Sequence, residues 1–189
     1  MGKIEQQAKQ ILDNFPQIHI QPASISGKYH WGETCRDHLE ACASVMRHLC
    51  DAFNIKGSDR DMLIACAYLH VLGSYLITFR GDEITVKEGW KKFDTGWVRS
   101  RALMLLHPLI SAAILDEYEI DRKEEIKEII SSHMGHWYKF TPQPTSFYQK
   151  LLVIADYLAS RGKEGLFNYE EADERINDYF SRRKVGEEG

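Results

Sequence analysis

The sequence predicts an all-α fold, a helical bundle carrying a small β-hairpin insertion. Three observations lead there. Apolar residues recur at three- and four-residue steps through most of the chain. Residues 59–72 are apolar on most sides, as a buried central helix is. One stretch, 75–88, changes to the two-residue alternation of strands.

Residues 2–14 set Ile4, Ala8, Ile11 and Leu12 among polar residues, a short amphipathic helix that Pro16 stops. The stretch through His19, Pro22 and Gly27 reads as an extended connection, with His19 a surface or packing residue. Residues 33–53 form the first long helix, whose inward stripe is Leu39, Cys42, Met46, Leu49, Cys50 and Phe53. His38 borders that stripe, and His48 falls elsewhere on the wheel as a structural residue. Asn54 and Gly57 end the helix, and Ser58 suits a cap for the next. That next helix, 59–72, carries Met62, Leu63, Ile64, Ala65, Ala67 and Leu69, delivers His70 near its end and stops at Gly73.

In residues 75–88, Tyr75, Ile77 and Phe79 alternate with Leu76 and Thr78, Gly81-Asp82 supplies a turn, and Ile84, Thr85 and Val86 follow. Trp90, Phe93 and Trp97, with Gly89 and Gly96, form an aromatic loop that either covers a pocket or caps the core. Residues 98–118 are helical in two pieces split by Pro108, which a first turn tolerates. Residues 121–133 turn Ile126, Ile129 and Ile130 inward and a Lys/Glu face to solvent. A loop from Gly135 to Pro144 leads to an apolar helix over 145–161 with Leu151, Leu152, Ile154, Ala155 and Leu158. A charged helix over 169–183 packs through Ile176, Tyr179 and Phe180, and the tail from Lys184 is expected to be mobile. The organisation expected is one domain over 1–189 with its core at about 29–162, the first and last helices being additions.

The bulk properties narrow the function. A net charge of -4 over 189 residues is not the basic footprint of a protein that grips a long phosphate backbone. A local basic pocket for one small phosphoester fits that balance. Cys35, Cys42, Cys50 and Cys66 form no C-x-x-C pair, so a zinc knuckle and a thioredoxin-like motif are excluded. The first three lie roughly two turns apart on one helix and read as small buried hydrophobes. Free thiols, no apolar signal core and no run of about 18 apolar residues lead to the expectation of a cytoplasmic protein without a membrane span.

The chemistry rests on His38, His70, His107, His133 and Asp156, which lie on five separate segments. A lone histidine on an apolar helix is commonly a satisfied core residue. Five such positions, each beside an inward stripe, suggest a metal centre inside the bundle. Imidazole suits zinc, iron, manganese, nickel and cobalt, and a carboxylate broadens the choice.

From about Tyr29 to Arg161 the sequence resembles the HD superfamily of metal-dependent phosphohydrolases, and the fold expected is an HD-domain-like bundle. The resemblance is carried by His30-Trp-Gly-Glu-Thr-Cys-Arg-Asp-His38, Tyr68-Leu69-His70-Val71-Leu72-Gly73, His107-Pro-Leu-Ile-Ser111-Ala, Ile129-Ile-Ser-Ser-His133-Met-Gly-His136-Trp137 and Ala155-Asp156-Tyr157-Leu158-Ala159-Ser160-Arg161. The last is close to the ending seen in HD proteins of bacteria and their phages, so a phage-encoded protein working inside a bacterial host fits too. The chain departs from the family at two places. Val71 stands where the family has the aspartate that bridges two ions, and Gly73-Ser74 replaces its frequent Gly-Lys. Valine has no lone pair to give.

The resemblance implies a divalent transition metal (Mn, Fe, Zn, Ni or Co), one ion rather than two, on His38, His70 and Asp156, with His107 and His133 at the second position. Those two either bind a further ion weakly or hydrogen-bond a phosphate. His133 and His136 are the candidate catalytic histidines. His136 would replace a missing ligand or act as an acid/base group, and a plain loop histidine is the other reading. Arg161, Lys150, Arg80 and Trp137 are the candidate substrate contacts, with Lys139 and Tyr138 nearby; plain surface charge and core packing are the alternatives. The implied partner is a small phosphorylated substrate, a nucleotide first, rather than nucleic acid or membrane. The alternative is a catalytically degenerate HD fold that binds a nucleotide or a protein partner without hydrolysis.

Overall fold

The computed structural model describes residues 1–19, 23, 33–73, 77–80, 83–86, 97–135 and 141–161. Its elements are α1 (Lys3–Leu12), a 3₁₀ turn (Pro16–His19), α2 (Cys35–Ala52), α3 (Gly57–Leu69), β1 (Ile77–Arg80), β2 (Glu83–Val86), α4 (Trp97–Ile114) running into a second 3₁₀ turn (Leu115–Glu117), α5 (Lys123–Ser131) and α6 (Phe147–Ala159). The architecture is the helical bundle expected. The expected helix over 169–183, Trp90, Phe93, His136, Trp137, Tyr138 and Lys139 lie outside the described residues.

The core is built around α3, in which every residue from Met62 to Leu69 is buried. It packs against α1, α2, α5 and α6. Each large apolar side chain withdrawn from water there contributes about 1.5–3 kcal/mol, so an almost uniformly apolar helix is stable only at this central place. The amphipathic helices surround it: Ile4, Ala8, Ile11 and Leu12 of α1 and Leu39, Cys42, Met46 and Cys50 of α2 all face inward.

Side chains fix where these helices begin. Thr34 and Asp37 form a reciprocal capping box at α2, with Asp37 N–H donating to Thr34 Oγ1 at 3.2 Å and Thr34 N–H to Asp37 Oδ2 at 3.0 Å. Ser146 and Gln149 do the same at α6. The first amides of α1 are satisfied from another helix: Ile4 N–H and Glu5 N–H donate to the Asp61 carboxylate of α3 at 2.8 and 3.0 Å.

Several local expectations are corrected. Phe53 is exposed rather than inward, because it is the C-cap of α2, where the backbone leaves the helix; its ring meets Phe147 edge-on at 5.2 Å. Ser58 does not cap α3, which starts two residues earlier than expected, behind Lys56, on a left-handed Gly57 (φ +61°). The helix expected over 59–72 stops at Leu69. His70 is its C-cap and answers the Ala67 carbonyl with its own ring at 2.9 Å. Pro108 does not split the next segment: α4 runs through it as one helix. An interior proline costs about 3 kcal/mol or more, and the packing of α4 on α5 compensates. Trp97 belongs to the first turn of α4 rather than to a loop.

The hairpin lies where the alternation placed it, β1 and β2 pairing antiparallel with Ile77 opposite Val86 and Phe79 opposite Ile84. At the end of the bundle where α3, α5 and α6 begin, four side chains bind them together. Arg122 donates to Asp59 at 2.6 Å and to both Glu125 oxygens at 2.9 and 2.6 Å, and Tyr148 O–H donates to Asp59 at 2.7 Å. Arg122 holds a left-handed backbone (φ 59°), uncommon for a residue with a side chain. The four cysteines are free and buried.

Candidate metal centre

Each of the five singled-out side chains is delivered by a helix or by the turn just past one. His38 sits in the first turn of α2 behind the capping box, and His70 closes α3. His107 lies inside α4, His133 two residues past the end of α5, and Asp156 in the later turns of α6. The four histidines are buried, His70 and His133 completely, and the Asp156 side chain keeps 14% exposure.

They converge. His38 Nε2 is 3.0 Å from Asp156 Oδ1 and 3.2 Å from His70 Nε2, and His70 Nε2 is 3.5 Å from the same carboxylate oxygen. The His70 and His133 rings meet edge-on with centroids 4.9 Å apart, and His133 Nε2 lies 3.0 Å from His107 Nε2. The helices thus bring all five residues into one continuous cluster.

Hydrogen bonding fixes the tautomers of two rings. A carbonyl only accepts, so His70 donates from Nδ1 to Ala67 O at 2.9 Å, and His133 donates from Nδ1 to Ile130 O at 2.6 Å. In a neutral ring the lone pair is then on Nε2, the atom turned into the cluster. Burial, reinforced by His70 and His107, pushes the His133 imidazole well below its ordinary pKa. Burial alone would push the Asp156 carboxyl up, but the hydrogen bonds and charge of His38 and His70 hold it well below the usual carboxylate range.

This donor set fits a metal ion. His70 Nε2 and Asp156 Oδ1 stand 3.5 Å apart, an approach that a proton on the imidazole satisfies and that a metal ion would satisfy equally. Ligand atoms about 2.0–2.2 Å from one ion stand about 3.0–3.5 Å from each other in tetrahedral or octahedral geometry. The three separations in the His38–His70–Asp156 group span that range, and among the described residues this group is the one whose ligand atoms all lie within 4.8 Å of one another. The His107–His133 contact is a separate pair of ring nitrogens, Nε2 to Nε2 at 3.0 Å.

Tyr68, two residues before His70 and buried, donates its hydroxyl to Glu40 Oε2 at 2.7 Å and accepts from Arg47 at 3.2 Å, which ties α3 to α2. Beyond His70 the chain is pressed onto α4. Gly73 N–H donates to Ser111 Oγ at 2.8 Å, and a Cβ at residue 73 would come within 2.5 Å of the His107 carbonyl. Ser111 lies in the segment His107-Pro-Leu-Ile-Ser111, and its one sequence signal is that position, one turn after His107. Val71 is half-buried and packed against the core.

The candidate substrate contacts are less concentrated. Arg161 follows α6 with its guanidinium 4.8 Å from the Tyr157 ring centroid. Lys150 is half-buried on α6, six residues before Asp156, about 9 Å along the helix axis. Arg80 ends β1 at the hairpin turn, its side chain outside the described residues, as are Trp137 and His136.

The bundle gathers buried imidazoles and one carboxylate from separate helices into a donor set that could hold a metal ion. The family model of the HD domain matches residues 36–161, and the chain belongs to that family, whose members are of the metal-dependent phosphohydrolase type. No curated protein and no solved structure gave a significant match.

Proposed function

We propose that this protein is an HD-type phosphohydrolase that hydrolyses a nucleotide or another small phosphoester, using one divalent transition-metal ion (Mn, Fe, Zn, Ni or Co) held by His38, His70 and Asp156. The observation that supports the reading is the convergence of His38 Nε2, His70 Nε2 and Asp156 Oδ1, drawn from three helices, at mutual separations of 3.0, 3.2 and 3.5 Å, typical of ligands on one ion. Bound there, the ion supplies Lewis-acid chemistry, polarising a phosphoryl group and acidifying water. Two histidines and one carboxylate leave positions open, as catalytic rather than structural sites do.

The remaining residues act on the substrate side. His107 and His133, whose Nε2 atoms lie 3.0 Å apart, are proposed to turn that contact toward a phosphoryl oxygen, with His133 the catalytic histidine of the pair. His136, Arg161, Lys150, Arg80 and Trp137 are proposed to complete the substrate contacts. Support for a single ion comes from Val71, which offers nothing to bridge two. The net charge of -4 favours a small phosphoester over duplex nucleic acid.

Val71 also supports a second reading, a degenerate site that binds a nucleotide or a protein partner without turnover. Elemental analysis of the purified chain, followed by phosphate release from a panel of nucleotides under each divalent ion, separates the two. One ion per chain with turnover, both lost in Asp156→Asn, is the expected outcome. No turnover on any nucleotide or other small phosphoester under any divalent ion favours the second reading, and a folded chain that takes up no ion overturns the first.

A further inference from the structure

The geometry points to Ser111 as a positioning residue that holds the His70 turn against α4 and thereby sets the distance between the His38–His70–Asp156 group and the His107–His133 pair. The inference rests on the metal site proposed above. Ser111 is completely buried, and its hydroxyl oxygen accepts the Gly73 N–H at 2.8 Å. A Cβ on residue 73 would meet the His107 carbonyl at 2.5 Å, Ile110 Cβ at 2.9 Å and Ser111 N at 3.0 Å, so the two backbones touch as closely as glycine permits.

The turn between them is short and fixed at both ends. At its start His70 bonds back to Ala67 O of α3, and at its end Gly73 bonds to α4. His107 lies on α4 one turn before Ser111, so the hydrogen bond that seats Gly73 also seats His70 relative to His107. Val71 lies inside this turn. A two-ion site would span this gap with a bridging carboxylate; this chain has none there, and its hydroxyl-to-amide bond remains to hold the spacing. Outer partners of metal ligands commonly alter affinity by about 10–100-fold.

The test uses the full chain titrated with Co2+, read by visible absorption for the geometry of the bound ion, alongside apo thermal unfolding. Ser111→Ala is expected to weaken Co2+ binding by about tenfold and to change the absorption bands, while Ser111→Thr, which keeps the hydroxyl, restores both. Should Ser111→Ala fail to fold, Ser111→Cys, a weaker acceptor of similar size, takes its place with the same expectation. Natural affinity and natural bands in the Ala or Cys variant overturn the positioning role and leave the metal site standing. A natural chain that binds no Co2+ while folded overturns the metal site and the role of Ser111 together.

Discussion

Val71 stands one residue past His70, half-buried, its methyl groups against the core. Hydrocarbon at that point leaves His38, His70 and Asp156 as a three-ligand set and leaves His107 and His133 to each other. Val71→Asp is therefore expected to raise the metal content from one ion per chain toward two and to raise phosphohydrolase turnover on the order of 100-fold, a scale typical of a gained metal partner. Without metal the same change destabilises the chain by about 1–3 kcal/mol, since a polar group replaces packed methyls. Elemental analysis and phosphate release on the same preparation check it; unchanged metal content would show that residue 71 does not face the ions. The five ligand candidates were legible in the sequence because each motif couples one ligating residue to an apolar helix pattern. Which way each imidazole carries its proton was not, since that depends on the Ala67 and Ile130 carbonyls, which any residue type supplies equally.

At the level of the helices, local patterning read well and long-range capping did not. Apolar spacing located α1, α2, α3, α5 and α6 to within a few residues, and alternation located β1 and β2. The cap of α1 escaped because its acceptor, Asp61, is more than fifty residues distant and looks like one more charge on α3. Pro108 misled because the rule for isolated helices takes no account of α5 packed alongside. Asp61→Ala is expected to cost about 1 kcal/mol, seen as a lower denaturant midpoint with an unchanged slope. The Asp59 clamp carries a pH dependence. Tyr148 first, and Arg122 with it, hold the Asp59 carboxyl below its ordinary pKa. Its folded value lies below the unfolded one, so the stabilisation is present above about pH 4 and fades as pH falls through the lower folded value. The carboxylate is 43% exposed, and solvent screening limits the effect to at most about 1 kcal/mol. Denaturation of the natural chain and Asp59→Asn at pH 7 and pH 3 should give a gap that narrows in acid; a constant gap would contradict the clamp.

For the whole molecule, the proposed metal centre and the bundle are coupled. The candidate ligands come from α2, α3 and α6, which pack on one another, so an ion bound there would tie those helices together and favour the folded chain by mass action. At a hundred times the dissociation constant this is worth about 2.7 kcal/mol. Stripping with a chelator should lower Tm by several degrees and readdition should restore it, whereas His38→Ala should show the low Tm in both conditions. The all-helical architecture itself was readable because a single helix, α3, is apolar nearly all round, and such a helix has no stable place except the middle of others.

The cysteines extend this to kinetics. All four are buried; burial pushes the Cys35 thiol up to about 12 and drives those of Cys42 and Cys66 far above the ordinary range. A disulfide-exchange dye needs a thiolate in reach of solvent, so the packing around α2 and α3 must loosen before one exists. The rate at which colour develops in such an assay therefore clocks that loosening, with no residue changed.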